Sequence, residues 1–363
     1  MNPDANIKNL KAGSDWYKGD LHMRARQSAG TILPHITLQR AVLAELDFCV
    51  PEGYGAFSTD LPKSPVSVFP GLQMNTQLGQ VGLFGTDAIP YMATQDFAVR
   101  MAQTRAEDEA FIRDIVSESK NHGWPICMNH PFRQGQEWKF TDFCLPDLNC
   151  LEIISDPACG HCPDADIRED NEKAIAFSDL LWEDGYRICA IGGSACGRPA
   201  RDDEAGDAQV PLPGDPATWL YMESLCADAM KKALYGCSAY VSRHCSLRTE
   251  LVFGTRLPQE QAFLHYEIHL RDYRKKPDIF YKHNGMKILC GGLVKEPRGW
   301  CVRGSIFLNP SVPYHCIRFG AQGEDGSFLF YANPITRGRR EHRFLTFGDA
   351  QRELERLPAE TVY

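Results

Sequence analysis

The sequence predicts an α/β protein in which a larger part with alternating strands and helices precedes a small antiparallel β part. Short apolar runs alternate with segments of helical period as far as about residue 248. Beyond that point short strand candidates follow one another, separated by Gly, Pro and Asp turns. The chain has 363 residues, of which 43% are hydrophobic and 24% charged, so it can bury one large or two modest cores.

The first part repeats a strand-helix order. We expect helices over residues 38–45, 107–122 and 169–183, and strands over residues 47–50, 124–129, 150–155 and 186–191. Phe111, Ile115 and Val116 share one face of the second helix, and Gly123 is a typical C-terminal stop. This alternation predicts a parallel sheet, open or closed as a barrel, with function in the loops after the strands.

The second part contains strand candidates with almost no helical period. They cover residues 266–270, 286–290, 300–306 and 328–331. The predicted organisation is therefore an N-terminal extension (1–15), an alternating domain (16–248), a β domain (249–345) and a helical tail (346–363).

Charge and hydropathy exclude several classes of protein. A net charge of -8 disfavours nucleic-acid binding, which depends on Lys and Arg against phosphates. No apolar run reaches the roughly 18 residues of a membrane span, and the first residues lack a signal-peptide core. We expect a soluble, cytoplasmic protein that binds no membrane, and a homo-oligomer stays open. The basic cluster Arg337, Arg339, Arg340 and Arg343 is interpreted as a solvated surface stretch.

The 14 cysteines are too few for a disulfide scaffold and lie mainly in apolar strand-like segments. They are typical of buried thiols in a reducing cytoplasm. Cys159 and Cys162, with His161 between them, have the spacing of a redox or metal element, but no second close pair completes a zinc site.

Polar and glycine-rich motifs recur where the strands of the first part end. They read GDLHMR (19–24), SAGT (28–31), FPGLQ (69–73) with GQ (79–80), NHPF (129–132) and GGSACG (192–197). In this order they resemble the PHP family of metal-dependent phosphoesterases and hydrolases, named for polymerase and histidinol phosphatase, and within it the carbaryl-hydrolase-like branch. Segments 214–219, 233–242 and 332–335 extend the resemblance to about residues 16–336. It implies a distorted (β/α)7 barrel followed by a small antiparallel β domain.

The sequence departs from this family at the positions that hold its metals. PHP enzymes begin with Asp-Leu-His-x-His and bind two or three metals through His, Asp and Glu. In this chain the usual ligand positions hold Arg24, Ala29, Gln73, Gln80, Ala195 and Gly197, and the second strand continues into Pro51-Glu52-Gly53-Tyr54. His22 and His130 remain. Arg cannot coordinate a metal and amides are weak ligands, so we expect no multinuclear cluster and no metal hydroxide nucleophile.

Three functional hypotheses follow. In the first, the protein uses no metal cofactor, and His22, His130 and Arg24 act on a small anionic molecule. The residues expected to bind that molecule are Arg24, Glu52, Tyr54, Gln73, Gln80, Asp156, Ser194, Cys196 and Arg198. Such an enzyme would have hydrolase descent, with hydrolase or metal-free lyase or transferase chemistry.

In the second hypothesis, one divalent Zn, Mn or Fe ion is held by His22, His130 and a carboxylate, and the protein is an amidohydrolase or phosphoesterase. The candidate carboxylates are Asp20, Glu52 and Asp156. In the third, the protein is a non-catalytic pseudoenzyme that acts by interaction.

Each candidate residue also has a structural interpretation. His22 and His130 can be hydrogen-bonded strand-end residues, and Asp20 can hold the loop of the first strand. Arg24 can form an ion pair with Glu52 or Asp156. Cys196 is interpreted as a small filler, although Arg198 and a His beside it would lower the pKa of the thiol. Residues 192–196 lack the second Gly of a nucleophile elbow.

Overall fold

The computed structural model describes residues 14–24, 34–53, 64–86, 104–156, 167–196 and 211–357. The helices in these ranges are α1 (Pro34–Leu43), α2 (Arg105–His122), α3 (Glu169–Glu183), α4 (Ala227–Gly236) and α5 (Phe347–Leu354). A 3₁₀ turn covers Leu145–Asp147.

The described ranges contain twenty strands. The first ten are β1 (Asp15–Arg24), β2 (Phe48–Gly53), β3 (Ser67–Val68), β4 (Gly71–Thr76), β5 (Gly79–Phe84), β6 (Ile126–Asn129), β7 (Cys150–Ser155), β8 (Cys189–Gly193), β9 (Ala217–Met222) and β10 (Ala239–Ser242). The other ten are β11 (Ser246–Thr249), β12 (Arg256–Leu257), β13 (Phe263–Arg271), β14 (Pro277–His283), β15 (Met286–Leu289), β16 (Val294–Glu296), β17 (Gly299–Phe307), β18 (Tyr314–Gly323), β19 (Phe328–Ala332) and β20 (Ile335–Gly338).

Most predicted elements are confirmed, and the differences lie at their ends. α3 and β7 have the predicted bounds, and α5 confirms a helix in the tail. α2 begins earlier than predicted because Thr104 and Glu107 form a capping box, and it ends at Gly123 with φ 66°. α1 begins four residues before its predicted start, at Pro34, a residue that the first helical position tolerates. The predicted C-terminal strands correspond to β13, β15, β17 and β19, although β15 ends at Leu289, one residue before its predicted end.

The first part is a mixed sheet, and the described residues do not show the distorted (β/α)7 barrel that the resemblance implies. β1 pairs with β2, and β6 with β7 and β7 with β8, in parallel, whereas β5 is antiparallel to both β4 and β6. The turn between β4 and β5 is only Gln77 and Leu78, followed by Gly79 at φ 133°. A two-residue turn permits a hairpin but is too short for a crossover helix.

The two ends of the strand series β1–β8 meet. Met23 and Cys196 form an isolated parallel bridge, and the amide of Ala195 donates to the carbonyl oxygen of His22 at 2.8 Å. A Cβ atom at Gly193 would lie 2.2 Å from Cβ of His22, so this approach requires glycine. The carboxyl ends of β1, β6, β7 and β8 therefore lie at the same edge.

The β-rich C-terminal part continues the same sheet. β1 pairs with β9, β9 with β10 and β10 with β19, all antiparallel, and β18, β20 and β14 follow. A second sheet has the order β11-β13-β17-β16. Sheet hydrogen bonding thus crosses the predicted boundary at residues 248–249, which stays a prediction.

The buried surface corrects one prediction about charge. Arg337 is 1% exposed and donates to the carbonyl oxygens of Gln261, Leu308 and Asn309, so it does not belong to a solvated stretch. A guanidinium can donate to several backbone carbonyls at once, so these hydrogen bonds offset the cost of burying the charge. In contrast, residues 339, 340 and 343 are exposed as predicted.

The predicted buried thiols are confirmed for several cysteines. Cys127, Cys150 and Cys189 are buried in one apolar cluster, whereas Cys144 and Cys226 are exposed. In the part of the chain that is described, no helix combines the length and hydropathy that a membrane crossing requires.

Candidate functional site

Two imidazoles and one carboxylate meet at the shared edge of β1, β6 and β7. His22 is 2% exposed, and its Nδ1 lies 2.7 Å from Oε1 of Glu152. The backbone amide of His130 donates to the other Glu152 oxygen at 3.0 Å. The two imidazole rings stack with centroids 5.9 Å apart. One buried carboxylate therefore fixes the positions of both histidines.

Sequence reasoning missed Glu152. The residue was included in a predicted strand, CLEIIS, without a role in the site. A charged residue inside an otherwise apolar buried strand is unusual unless it is paired, and that signal was available.

Amide side chains extend the polar group across neighbouring strands. Gln80 on β5 is paired in register with Asn129 on β6, and Gln73 lies on β4. Because side chains alternate along a strand, Asn129 and Glu152 share a face with Cys127 and Cys150 of the buried thiol cluster. By the same alternation, Gln73 lies on the face of β4 that carries Gly71. Gln80 lies on the face of β5 that carries Phe84, the residue opposite Gly71. We call Gln73, Gln80, Asn129 and Glu152 the polar tier.

The amides of the polar tier have unused hydrogen-bonding capacity. Gln73 is 1% exposed, and neither its Oε1 nor its Nε2 has a hydrogen-bond partner among the described residues. The same holds for Nδ2 of Asn129 and Oε1 of Gln80, whereas Nε2 of Gln80 donates to Asn75. A buried unpaired amide costs about 1–3 kcal/mol. Folding alone does not favour this arrangement.

Asp20 has a structural position beside the histidines. Its carboxylate accepts hydrogen bonds from the amides of His22, Ser194 and Gly214 and, at 2.5 Å, from the Ser194 hydroxyl. Burial raises the pKa of Asp20, and these hydrogen bonds partly offset that effect. The geometry agrees with the interpretation of Asp20 as the residue that holds the loop.

Ser194 and Cys196, both predicted to bind the ligand, have structural partners instead. The Ser194 hydroxyl donates to Asp20 and accepts from the amide of Cys196 at 3.1 Å. Cys196 packs among Met23, Leu38 and other apolar side chains. Burial raises the pKa of its thiol well above the ordinary value, which contradicts the alternative of a lowered pKa.

An additional cation lies beside the site. Nη2 of Arg133 is 3.1 Å from Oδ2 of Asp156, and both side chains are buried. Arg133 was missed, because it follows the NHPF motif without matching a family position. Arg24 and Glu52 occupy paired positions of β1 and β2, but their side chains lie outside the described structure, as do Tyr54, Arg198 and residues 159–162.

Three neighbouring strand ends have left-handed backbone. His130 follows β6 at φ 29°, Asp156 follows β7 at φ 47° and Ala195 follows β8 at φ 50°. Non-glycine residues rarely adopt such values, and each costs of order 1–3 kcal/mol. Three of the eight non-glycine residues with positive φ in the described ranges lie at this one edge, which agrees with its choice as the candidate site.

The described donors do not fit the multinuclear metal site that the resemblance implies. The Asp20 oxygens already accept four hydrogen bonds, and both Glu152 oxygens face donors. Gln73 and Gln80 offer only neutral amides. Within the described ranges, the group of three or more His, Cys, Asp or Glu donors close enough to share one ion lies elsewhere, on β13 and β17.

Comparison with known proteins adds little. No protein-family model matches the chain, and no curated protein matches it significantly. Among solved structures, it is similar to a two-domain protein of Bacteroides vulgatus described as containing a predicted PHP-like metal-dependent phosphoesterase. The match covers 90% of this chain and 96% of that chain, at 12% identity and a TM-score of 0.45. A TM-score this low carries no argument about family or function, so the PHP assignment stays a prediction.

Proposed function

We propose that the polar tier, with His22 and His130, forms a pocket that binds a small anionic molecule and transfers a proton to or from it without a metal cluster. One observation carries this proposal. The amide of Gln73 is almost fully buried, and neither of its polar atoms has a partner among the described residues. A ligand with oxygen atoms would supply those partners.

The His22–Glu152 pair supports the proton-transfer part. A carboxylate beside Nδ1 favours the tautomer that carries its proton there and stabilises the imidazolium ion. Nε2 is then the nitrogen that exchanges a proton with the ligand. His130, stacked beside His22 and held through its backbone by Glu152, would orient the ligand.

The ligand's charge is inferred from the donors that the site offers. The amide nitrogens of Gln73 and Asn129 can donate to carboxylate or phosphate oxygens. Arg24 ends β1 two residues after His22, so its guanidinium can contribute to anion binding from the same strand.

Titration with two simple anions, inorganic phosphate and succinate, tests the proposal. We expect at least one of them to raise the melting temperature of the wild-type protein, because a ligand that binds only the folded state stabilises it. Gln73→Leu and His22→Gln should each reduce the shift while remaining folded. Gln351→Leu, which alters a partly exposed amide on α5, is the matched control and should keep the full shift.

An equal shift in wild type, Gln73→Leu and His22→Gln would mean that the anion binds elsewhere, and no shift with either anion would contradict anion binding. The metal content of the purified protein is the second measurement. Two or three ions per chain that are lost in His22→Gln would contradict the metal-free mechanism.

A further inference from the structure

The outer face of the second sheet carries a compact group of different potential metal ligands. In the antiparallel pair β13–β17, His269 lies opposite Cys301 and Glu267 lies opposite Arg303. These four residues share one face, while the alternate residues Ile268 and Val302 pack into the core. Edge strand β16 adds Glu296 beside them.

The distances within this group are short. One ligand atom each from Glu267, His269 and Cys301 lies within 4.8 Å of the others. Nε2 of His269 is 2.8 Å from Oε1 of Glu267, and Nδ1 is 2.9 Å from Oε2 of Glu296. Both imidazole nitrogens thus face a carboxylate, although a neutral imidazole has only one N–H to donate.

We propose that Glu267, His269 and Cys301 bind one divalent ion of the Zn²⁺ type, with Glu296 as the carboxylate that holds the imidazole. Thiolate, imidazole and carboxylate together are typical zinc ligands and are unsuited to Mg²⁺ or Ca²⁺. A carboxylate on the second imidazole nitrogen is the common arrangement for a metal-bound histidine.

The geometry requires only small adjustments. A tetrahedral ion with ligand distances of about 2.1 Å separates its nitrogen and oxygen ligands by about 3.4 Å, so His269 and Glu267 must move apart by about half an ångström. Glu267 is exposed and can rotate. Arg303, whose Nη2 is 2.8 Å from Glu267, is also exposed and can move away from the carboxylate when an ion binds.

A purely ionic surface is the competing explanation, and Cys301 argues against it. The Glu267–Arg303 and His269–Glu296 contacts would suffice for a solvated ion-pair network. Such a network does not need a thiol, yet Cys301 is 3% exposed beneath these polar groups on the outer face. Glu267 and His269 also border a groove of about 810 Å³, which gives an ion access from solvent to these two ligands.

The bound ion would have a structural effect. β16 has three residues and lies at the edge of its sheet. Through His269 the ion would link Glu296 on β16 to β13 and β17. We therefore expect metal binding to stabilise the protein.

Cobalt substitution tests this site directly in the full chain, because Co²⁺ bound to a thiolate has a characteristic charge-transfer absorption. We expect one Co²⁺ per chain with this band, displaced by Zn²⁺, and a higher melting temperature with Zn²⁺. Cys301→Ser should abolish the band and weaken Zn²⁺ binding by at least about 100-fold. His269→Gln should weaken Zn²⁺ binding as well.

Two controls make the test specific. Cys226→Ser removes an exposed thiol elsewhere, and His265→Ala removes a histidine of the same strand face that contacts Ser305; both should keep the band. Melting without metal shows whether Cys301→Ser is folded. A band that survives in folded Cys301→Ser, or no Zn²⁺ binding by wild type at concentrations well above that of the protein, would overturn the proposal.

Discussion

At the scale of the residue, two buried amides show the difference between a structural and a ligand-binding role. Asn333 has all its polar atoms paired: Oδ1 accepts from the amide of Ala190 at 2.7 Å, and Nδ2 donates to the carbonyls of Ala190 and Ala239, each at 3.0 Å. Gln73 is equally buried but has no such partners within the described structure. The contrast separates a residue that holds two strands together from one whose polarity has no structural use.

This contrast predicts opposite effects of the same kind of substitution. Gln73→Leu should be neutral or stabilising, because it removes an unpaired buried amide. Asn333→Leu should lose several kcal/mol, because it leaves the buried backbone amide and carbonyl of Ala190 without their Asn333 partners. Chemical denaturation of both variants measures the effect. A comparable loss of stability in Gln73→Leu would show that the glutamine has a structural role.

Only one of the two polar atoms of the Gln80 side chain has a partner among the described residues, which the sequence could not predict. Its Nε2 donates to Asn75, so its replacement by Leu would unpair a second amide. The sequence could indicate both glutamines, because they occur in the FPGLQ and GQ motifs, although the structure places Gln73 within β4 and Gln80 near the start of β5. It could not indicate which of their atoms are paired, since that depends on neighbours brought together by the hairpin of β4 and β5.

At the scale of the element, buried ion pairs join α3 in the first part of the molecule to the C-terminal strands. Asp179 of α3 accepts hydrogen bonds from Lys282 on β14 and Arg318 on β18, each at 2.8 Å. Burial alone would raise the pKa of Asp179, but the two cations outweigh it and hold the pKa below its usual value. Breaking such a buried pair typically costs 3–5 kcal/mol, about ten times an exposed helical pair.

Glu183 at the end of the same helix predicts a pH dependence. Burial, and then the negative charge of Asp179, raise the pKa of Glu183 from 4.5 to about 7. A raised pKa in the folded state means that the neutral form is favoured there, so the stability present at low pH is lost as the pH rises through about 7. Glu183→Gln should therefore become progressively more stable than wild type as the pH rises from 4.5 to about 7.

Denaturation at several pH values checks this prediction. Glu169→Gln on α3 is the matched control: Glu169 is exposed, and Lys173 lowers the pKa of its carboxyl, so its replacement should not give this profile. A constant difference between wild type and Glu183→Gln from pH 5 to 8 would contradict the raised pKa.

The β4–β5 hairpin is an element that the sequence analysis did not predict. α3 and β7 were predictable because a long helical period and a short apolar run are local signals. Neither β4 nor β5 was predicted from the sequence, because Gly79 is the only typical turn residue beside their two-residue turn, Gln77-Leu78. That turn makes β5 antiparallel to β4, whereas the antiparallel pairing of β5 with β6 joins residues far apart in the sequence.

At the scale of the whole molecule, the sheet runs without interruption through the predicted domain boundary. β10 precedes the boundary and pairs with β19, which lies far beyond it, with Tyr240 opposite Ala332. Asn333 then binds backbone groups of β8 and β10 from the C-terminal side. The sequence predicted that alternating strands and helices give way to strands alone near residue 249. It contained no signal for strand pairing across that boundary.

We therefore predict that the two parts unfold together. Urea denaturation followed by backbone circular dichroism and by tryptophan fluorescence should give one coincident transition. Trp300 on β17 is one of six tryptophans, so the difference in fluorescence between wild type and a Trp300→Phe variant reports on the C-terminal strands. Two resolved transitions would instead support independent domains with a boundary near residue 249.

The left-handed residues at the ends of β6, β7 and β8 affect how the pocket would meet a ligand. The surrounding sheet holds His130, Asp156 and Ala195 in conformations that they would not adopt alone. The strain is thus present in the folded protein before a ligand binds. If the proposed pocket binds a small molecule, ordering the histidine-bearing strand ends would cost little free energy, so few contacts would be enough for binding.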